Sequence, residues 1–201
     1  MRAEDGILLR SGQKVGLLGG SFDPPHAGHL HLSKEALKRF GLDRVLWLVS
    51  PGNPLKPDAP AAFERRLQAA RDLVDHPQIV VSDFENRIGT RYTARTIAEI
   101  QAHWPGVRFV WLMGADNLAQ FHRWQDWKQI MKRVPVGVLA RPDARLAARS
   151  SVAARIFRGN RLPGRASKLL GKSEPPCWCF INIPMKPHSS TAIRQTGNWK
   201  R

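Results

Sequence analysis

The chain has no apolar run approaching the roughly 18 residues that a membrane-spanning helix needs. It has only two cysteines in 201 residues, and half as many acidic as basic side chains, 16 against 32. The first absence argues against a membrane span. The opening MRAEDGILLR holds acids and only a short apolar run, which is not the pattern of a secretory signal and leaves the cytoplasm as the expected location. Cys177 and Cys179 lie two apart in a stretch that reads as a buried strand, with both thiols on one face. Such neighbours rarely form a disulfide, and without further ligands they make a poor metal site. There is no internal repeat, and no GxGxxG fingerprint follows any predicted strand. With 42% hydrophobic residues, the chain can bury one substantial core, so a single domain over residues 1–201 is expected.

The most informative stretch that is present runs from Gly19 to His29, GGSFDPPHAGH. The apolar Val15-Gly16-Leu17-Leu18 reads as a short buried strand, and the Gly, Ser, Asp and Pro after it are turn formers. A helix is predicted to begin near Pro25. Residues three apart on a helix share a face, so His26 and His29 are expected to point together above the helix start. Free backbone N–H groups and the helix dipole favour an anion there. Capping or surface histidines are the plainer alternative. A zinc site is disfavoured, because no nearby Cys, Asp or Glu shows metal-ligand spacing.

Apolar runs at 14–19, 44–50, 78–81, 107–113, 135–140 and 178–183 alternate with helical patterns at 26–39, 61–75, 93–103, 115–132 and 190–196. That alternation predicts right-handed βαβ units: an α/β, Rossmann-like doubly wound and mainly parallel sheet with helices on both faces. Ligands of such sheets bind beyond the C-terminal strand ends, where strand order reverses. The turn at 19–25, Gly114-Ala115-Asp116 and the loops after 50, 81 and 140 would all open on that edge.

The net charge of +16 is unevenly spread. Residues 143–176 carry eight arginines and lysines against Asp143 and Glu174, a net +6. This segment reads as an insertion between two strands, partly helical over Arg145 to Phe157. It is either a solvated or mobile basic loop, or a lid that attracts anionic substrates or weakly contacts polyanions.

His26-Ala27-Gly28-His29 resembles the first signature of the HxGH nucleotidyltransferases, and Ser189-Ser190-Thr191-Ala192-Ile193-Arg194 resembles their second, SSTxIR. The pair stands in the family's order. Between them, Gly114-Ala115-Asp116 and the following FHRWQDW are similar to the bacterial nicotinate-nucleotide adenylyltransferases within that family, over roughly residues 14–141 and 177–197. The resemblance implies transfer of the adenylyl group of ATP to nicotinate mononucleotide, with Mg²⁺ accompanying ATP. His26, His29 and Arg194 would then act on the phosphates. Gly20, Ser21, Phe22, Gly28, Gly114, Asp116, Ser189, Ser190 and Thr191 would help bind ATP, Asp116 through the ribose hydroxyls. Thr90, Tyr92 and Thr93 match the family's nicotinate loop, and Trp124 matches its ring-stacking tryptophan. Lys56 and Arg141 are further anion-binding candidates. Leu55 stands where the family usually has histidine, and His188 where it often has Ile or Val. A core role for Trp124, a helix cap at Ser189 to Thr191 and a plain strand-end role for Arg141 are the structural alternatives.

Rival readings are a nicotinamide-preferring or dual-specificity enzyme, a phosphopantetheine adenylyltransferase, and a non-enzymatic nucleic-acid-binding module suggested by the charge. ATP and nicotinate mononucleotide are the expected partners, with no specific nucleic acid and no membrane, in a monomer or homodimer.

Overall fold

A computed structural model describes the chain apart from residues 1, 2, 5, 6, 53, 54, 56, 57, 141–144, 185–189, 196, 198, 200 and 201. Continuous apolar runs, rather than alternating ones, mark strands that are covered on both faces. Four such strands form the middle of the sheet: β3 (Lys14–Gly20), β4 (Arg44–Val49), β6 (Arg108–Gly114) and β7 (Val136–Ala140). With β5 (Ile79–Ser82), β8 (Arg161–Leu162) and β9 (Trp178–Asn182) they make a seven-stranded sheet of order β5-β4-β3-β6-β7-β9-β8. Every pairing in it is parallel. Strand order reverses between β3 and β6, which places the expected ligand crevice beyond Gly20 and Gly114. A short antiparallel ribbon, β1 (Ala3–Glu4) with β2 (Ile7–Leu8), precedes the sheet.

Each face of the sheet has its own core. On one, Leu18, Val45, Trp47 and Val49 meet α1 (Ala27–Phe40) through Ala36, Leu37 and Phe40, and α2 (Phe63–Leu73) through Leu67 and Ala70. On the other, Val15, Leu17, Leu46 and Leu48 meet α4 (Thr93–His103) through Ile97 and Ile100, and α6 (Trp127–Arg133) through Ile130 and Met131. Each fully buried large side chain contributes about 1.5–3 kcal/mol. Helix α1 ends at Gly41, whose φ of 61° lies in the left-handed region that glycine adopts freely. A short α3 (Phe84–Arg87) leads into the loop before α4.

Two expectations need correction. The helix predicted over 115–132 is instead α5 (Ala115–Gln120), a 3₁₀ turn at Phe121–Arg123, and then α6. The break falls at Asp126, which has φ 54° and carries no glycine or proline warning in sequence. The basic segment, where described, is built into the fold rather than left as a solvated loop. It contains α7 (Arg145–Arg149), α8 (Val152–Ile156), strand β8 and a 3₁₀ stretch over Gly164–Lys172. Phe157 and Leu170 are buried in the two cores. Part of its charge is structural, since the Arg161 guanidinium lies over the Trp178 ring at 5.3 Å and Arg149 over Phe180 at 5.2 Å. Planar guanidinium groups cover aromatic faces while keeping their charge hydrated.

No helix among the described residues is long and apolar enough to cross a membrane. Cys177 and Cys179 are both buried free thiols, and burial pushes Cys179 up to about 11.

Candidate functional site

The turn after β3 is held in an uncommon backbone shape. Phe22 has φ 47°, which costs a non-glycine residue on the order of 1–3 kcal/mol. Packing holds it there: its ring stacks on Trp47 at 4.8 Å and tilts against His29 at 4.8 Å. A side chain at Gly19 would put its Cβ 2.5 Å from Trp111, so only glycine lets strand and tryptophan lie together.

Beyond the turn, His26 is the N-cap of α1. Its Nδ1 accepts from the Gly28 N–H at 3.0 Å, while the His26 N–H donates to His29 Nδ1 at 3.2 Å. This is a capping box made of two imidazoles. Because both Nδ1 atoms accept, each ring in its neutral form carries its proton on Nε2. The ring centroids lie 3.9 Å apart with the planes tilted by 34°, so the expected shared face is present. With no acid in its first turn, α1 leaves the positive end of its dipole uncompensated.

The second signature arrives at the same turn. In α9 (Ser190–Gln195), Ser190 Oγ donates to the Pro24 carbonyl at 2.9 Å, and Arg194 Nη1 donates to the Asp23 carbonyl. Arg194 Nη2 reaches Thr191 Oγ1 at 3.3 Å, and Asp23 Oδ2 lies 3.9 Å from Nη1. The helix start is thus anchored to the glycine turn, with Thr191 exposed beside it. Ser189 and His188 lie outside the described residues.

Arg66 ties this turn to the next loop. It is 1% exposed, and it donates from Nε to Ala61 O at 2.7 Å, from Nη1 to Ser21 O at 2.6 Å and Ser50 O at 2.7 Å, and from Nη2 to Pro51 O at 3.3 Å. Burial pulls its pKa below the usual arginine value, and the Asp23 carboxylate opposes that shift. One planar cation therefore fixes the loops that follow β3 and β4.

Between those loops, α4 and the 3₁₀ turn opens a cavity of about 210 Å³. Gly20, Ser21, Ser50, Glu85, Tyr92, Thr93, Trp111 and Trp124 line it, with Arg91 and Arg123 at its edge. Trp124 is half-buried, with its ring edge-on to Phe121 at 5.3 Å and Trp111 at 6.2 Å. The structural alternative for this tryptophan holds in part, since it packs on the core while also forming cavity wall. Thr90 does not line the cavity. It is buried behind it, where its Oγ1 accepts from the Tyr92 N–H at 3.2 Å and sets the loop's shape. Gly114 caps α5, where any Cβ would collide with the Asp116 carboxylate, and Asp116 itself is exposed at the crevice edge. Lys56 and Arg141 lie outside the described residues.

Three contributors were not singled out from sequence. Arg66 carried one usable signal, its place beside Leu67 and one turn from Ala70 on the buried stripe of α2. Asp23 gave none, although its Oδ1 accepts from Trp199 Nε1 at 2.7 Å and from the Ala61 N–H at 3.3 Å. Glu85 is 3% exposed in the cavity wall, and burial pushes its carboxyl up to about 7.

Chemically, the turn presents imidazole N–H, guanidinium and backbone N–H donors, a set that suits phosphate oxygens rather than a metal cation. No group of three or more His, Cys, Asp or Glu side chains converges among the described residues. The aromatic cavity beside it suits a flat ring.

The family model described as cytidylyltransferase-like matches residues 17–196. A protein of Cereibacter sphaeroides named "Probable nicotinate-nucleotide adenylyltransferase" is 63% identical over 186 residues, covering 92% of this chain and 98% of its own length. One of the same name from Roseobacter denitrificans is 58% identical over 190 residues, covering 94% and 96%. Among solved structures, the Plasmodium falciparum nicotinic acid mononucleotide adenylyltransferase complexed with NaAD matches the fold with a TM-score of 0.68 at 16% identity, over 91% of this chain and 83% of that one.

Proposed function

The chain belongs to the nicotinate-nucleotide adenylyltransferases of the cytidylyltransferase-like family, and on that premise we propose how its residues transfer the adenylyl group of ATP to nicotinate mononucleotide. The observation that carries the reading is the meeting of both signatures on one turn, beside an aromatic cavity of a size for the pyridine ring.

A phosphate oxygen of the mononucleotide attacks the α-phosphorus of ATP in line. The bond from that phosphorus to the bridging oxygen breaks, and the electron pair leaves with pyrophosphate. The product is nicotinate adenine dinucleotide. The nucleophile is already an anion, so no base is needed, and the protein's task is to hold two anions together and spread the developing charge. His26 and His29 donate through Nε2 to the triphosphate, Arg194 offers its guanidinium to the leaving phosphates, and backbone N–H groups at Ser21 and Phe22 add further donors. Mg²⁺ accompanying ATP would supply charge neutralisation of the leaving pyrophosphate, with His26, His29 and Arg194 acting on the phosphates beside it.

The mononucleotide ring stacks against Trp124, with its carboxylate toward the loop at Tyr92 and Thr93. Asp116, exposed at the N-terminus of α5, takes the ATP ribose hydroxyls. The net charge of +16 draws both anionic substrates to the crevice.

The test is pyrophosphate release from MgATP with nicotinate mononucleotide, nicotinamide mononucleotide and phosphopantetheine supplied separately. Strong preference for nicotinate mononucleotide is expected, and release with none of the three overturns the reading.

A further inference from the structure

The segment that follows α9 returns to the glycine turn. Trp199 Nε1 donates to Asp23 Oδ1 at 2.7 Å, and the Arg65 guanidinium of α2 lies over the Trp199 ring at 4.2 Å. Neither contact involves a residue of the two signatures, and the mechanism above makes no use of them.

Helix α9 has only six residues, far short of the roughly 12–15 at which an isolated helix begins to hold itself in water. The direction of Arg194 is therefore set by ties to the rest of the molecule. Ser190 binds the front of the helix to the Pro24 carbonyl, and Arg194 donates to the Asp23 carbonyl and to Thr191 Oγ1. Those two bonds leave part of the guanidinium fork without an acceptor among the described residues. The remaining N–H groups are the ones an anion can take.

A competitor for them stands close by. Asp23 Oδ2 lies 3.9 Å from Arg194 Nη1, and its side chain is 3% exposed. Carboxylate and guanidinium close readily into a bidentate pair with two parallel N–H···O bonds. Such a pair would withdraw donors from a phosphate. The other carboxylate oxygen opposes that closure: Oδ1 accepts from Trp199 Nε1 and, at 3.3 Å, from the Ala61 N–H. A carboxylate is a rigid plane, so fixing Oδ1 fixes where Oδ2 sits. The bond from Trp199 is the shorter of the two, and the Arg65 guanidinium over the ring holds the indole in place. Helix α2 thus supports the turn twice, directly through Arg66 and by way of Trp199 through Arg65.

We propose that Trp199 is a positioning residue for adenylyl transfer: its indole N–H occupies the Asp23 carboxylate, and so keeps Arg194 turned toward the leaving phosphates of ATP instead of closed on Asp23. This rests on the reading above that Arg194 serves those phosphates. Trp199 itself touches no substrate and acts only through Asp23 and Arg194.

The experiment is steady-state pyrophosphate release by the full chain, with MgATP and nicotinate mononucleotide varied in turn. It is run for the native protein, Trp199→Phe, Arg194→Met and the double variant. Trp199→Phe keeps an aromatic ring beneath Arg65 and removes the N–H. It is expected to lower kcat/KM for ATP about tenfold, the worth of one hydrogen bond to a charged group, and to leave the KM for nicotinate mononucleotide close to native. In the Arg194→Met background it should change nothing further, because a residue that acts through another has no effect once that other is gone. A native kcat/KM for ATP in Trp199→Phe would overturn the proposal alone. So would an equal rise in both KM values, or losses that multiply in the double variant, since a general loosening of the fold produces either. Native kinetics in Arg194→Met would overturn the placing of Arg194 on the phosphates, and this proposal with it.

Discussion

The phosphate turn and the ring cavity adjoin at Gly20 and Ser21, yet they are built from different materials. The turn is made largely of main chain and of residues close in sequence: a left-handed Phe22, an imidazole capping box and a helix start. The cavity is made of side chains drawn from separate segments, Ser50, Glu85, Tyr92, Trp111 and Trp124. Backbone donors recognise a charge pattern common to all nucleotides, whereas side-chain walls recognise one ring and its substituent. On the proposed reading the turn carries the reaction and the cavity carries the choice of acceptor.

Arg66 is where that division can be broken. It holds Ser21 of the turn and Ser50 and Pro51 of the cavity loop at once. Arg66→Met should leave several buried carbonyls unpaired and cost about 3–5 kcal/mol of stability, measured as a lower denaturant midpoint. A loss under 1 kcal/mol would show that the two regions stand independently. His29→Ala sharpens the comparison from the turn side. It should lower kcat about 10²–10³-fold, as loss of one transition-state donor does, while mononucleotide binding measured without ATP stays close to native. Equal losses in both would dissolve the distinction. From the cavity side, Trp124→Ala should weaken the mononucleotide by about 1–3 kcal/mol, the usual worth of a lost stacking partner, and ATP by far less. Equal weakening of both in parallel titrations would place the tryptophan outside the acceptor subsite.

The same contrast governs how much could be read from sequence. The turn was legible because its parts are contiguous: strand, glycines, proline and both histidines fall within Val15 to His29. The sheet was legible because strands covered on both sides must be apolar throughout. Glu85 was not, since an acid between Phe84 and Asn86 looks like any solvated helix residue until Thr96 and Ser50 close over it. Arg66 follows Arg65 in sequence, and only tertiary structure separates the buried one from the one lying over Trp199 at 4.2 Å. The basic segment misled for a related reason. Its charge suggested hydration, whereas stacking on Trp178 and Phe180 keeps arginines useful to the fold.

The bond from Arg194 to Asp23 spans 171 residues of chain. On a ribosome adding about 5–20 residues per second, the glycine turn emerges roughly 10–30 s before the arginine that completes it. The turn on which the two signatures meet is therefore completed last, when nearly all of the sheet is already available to fold.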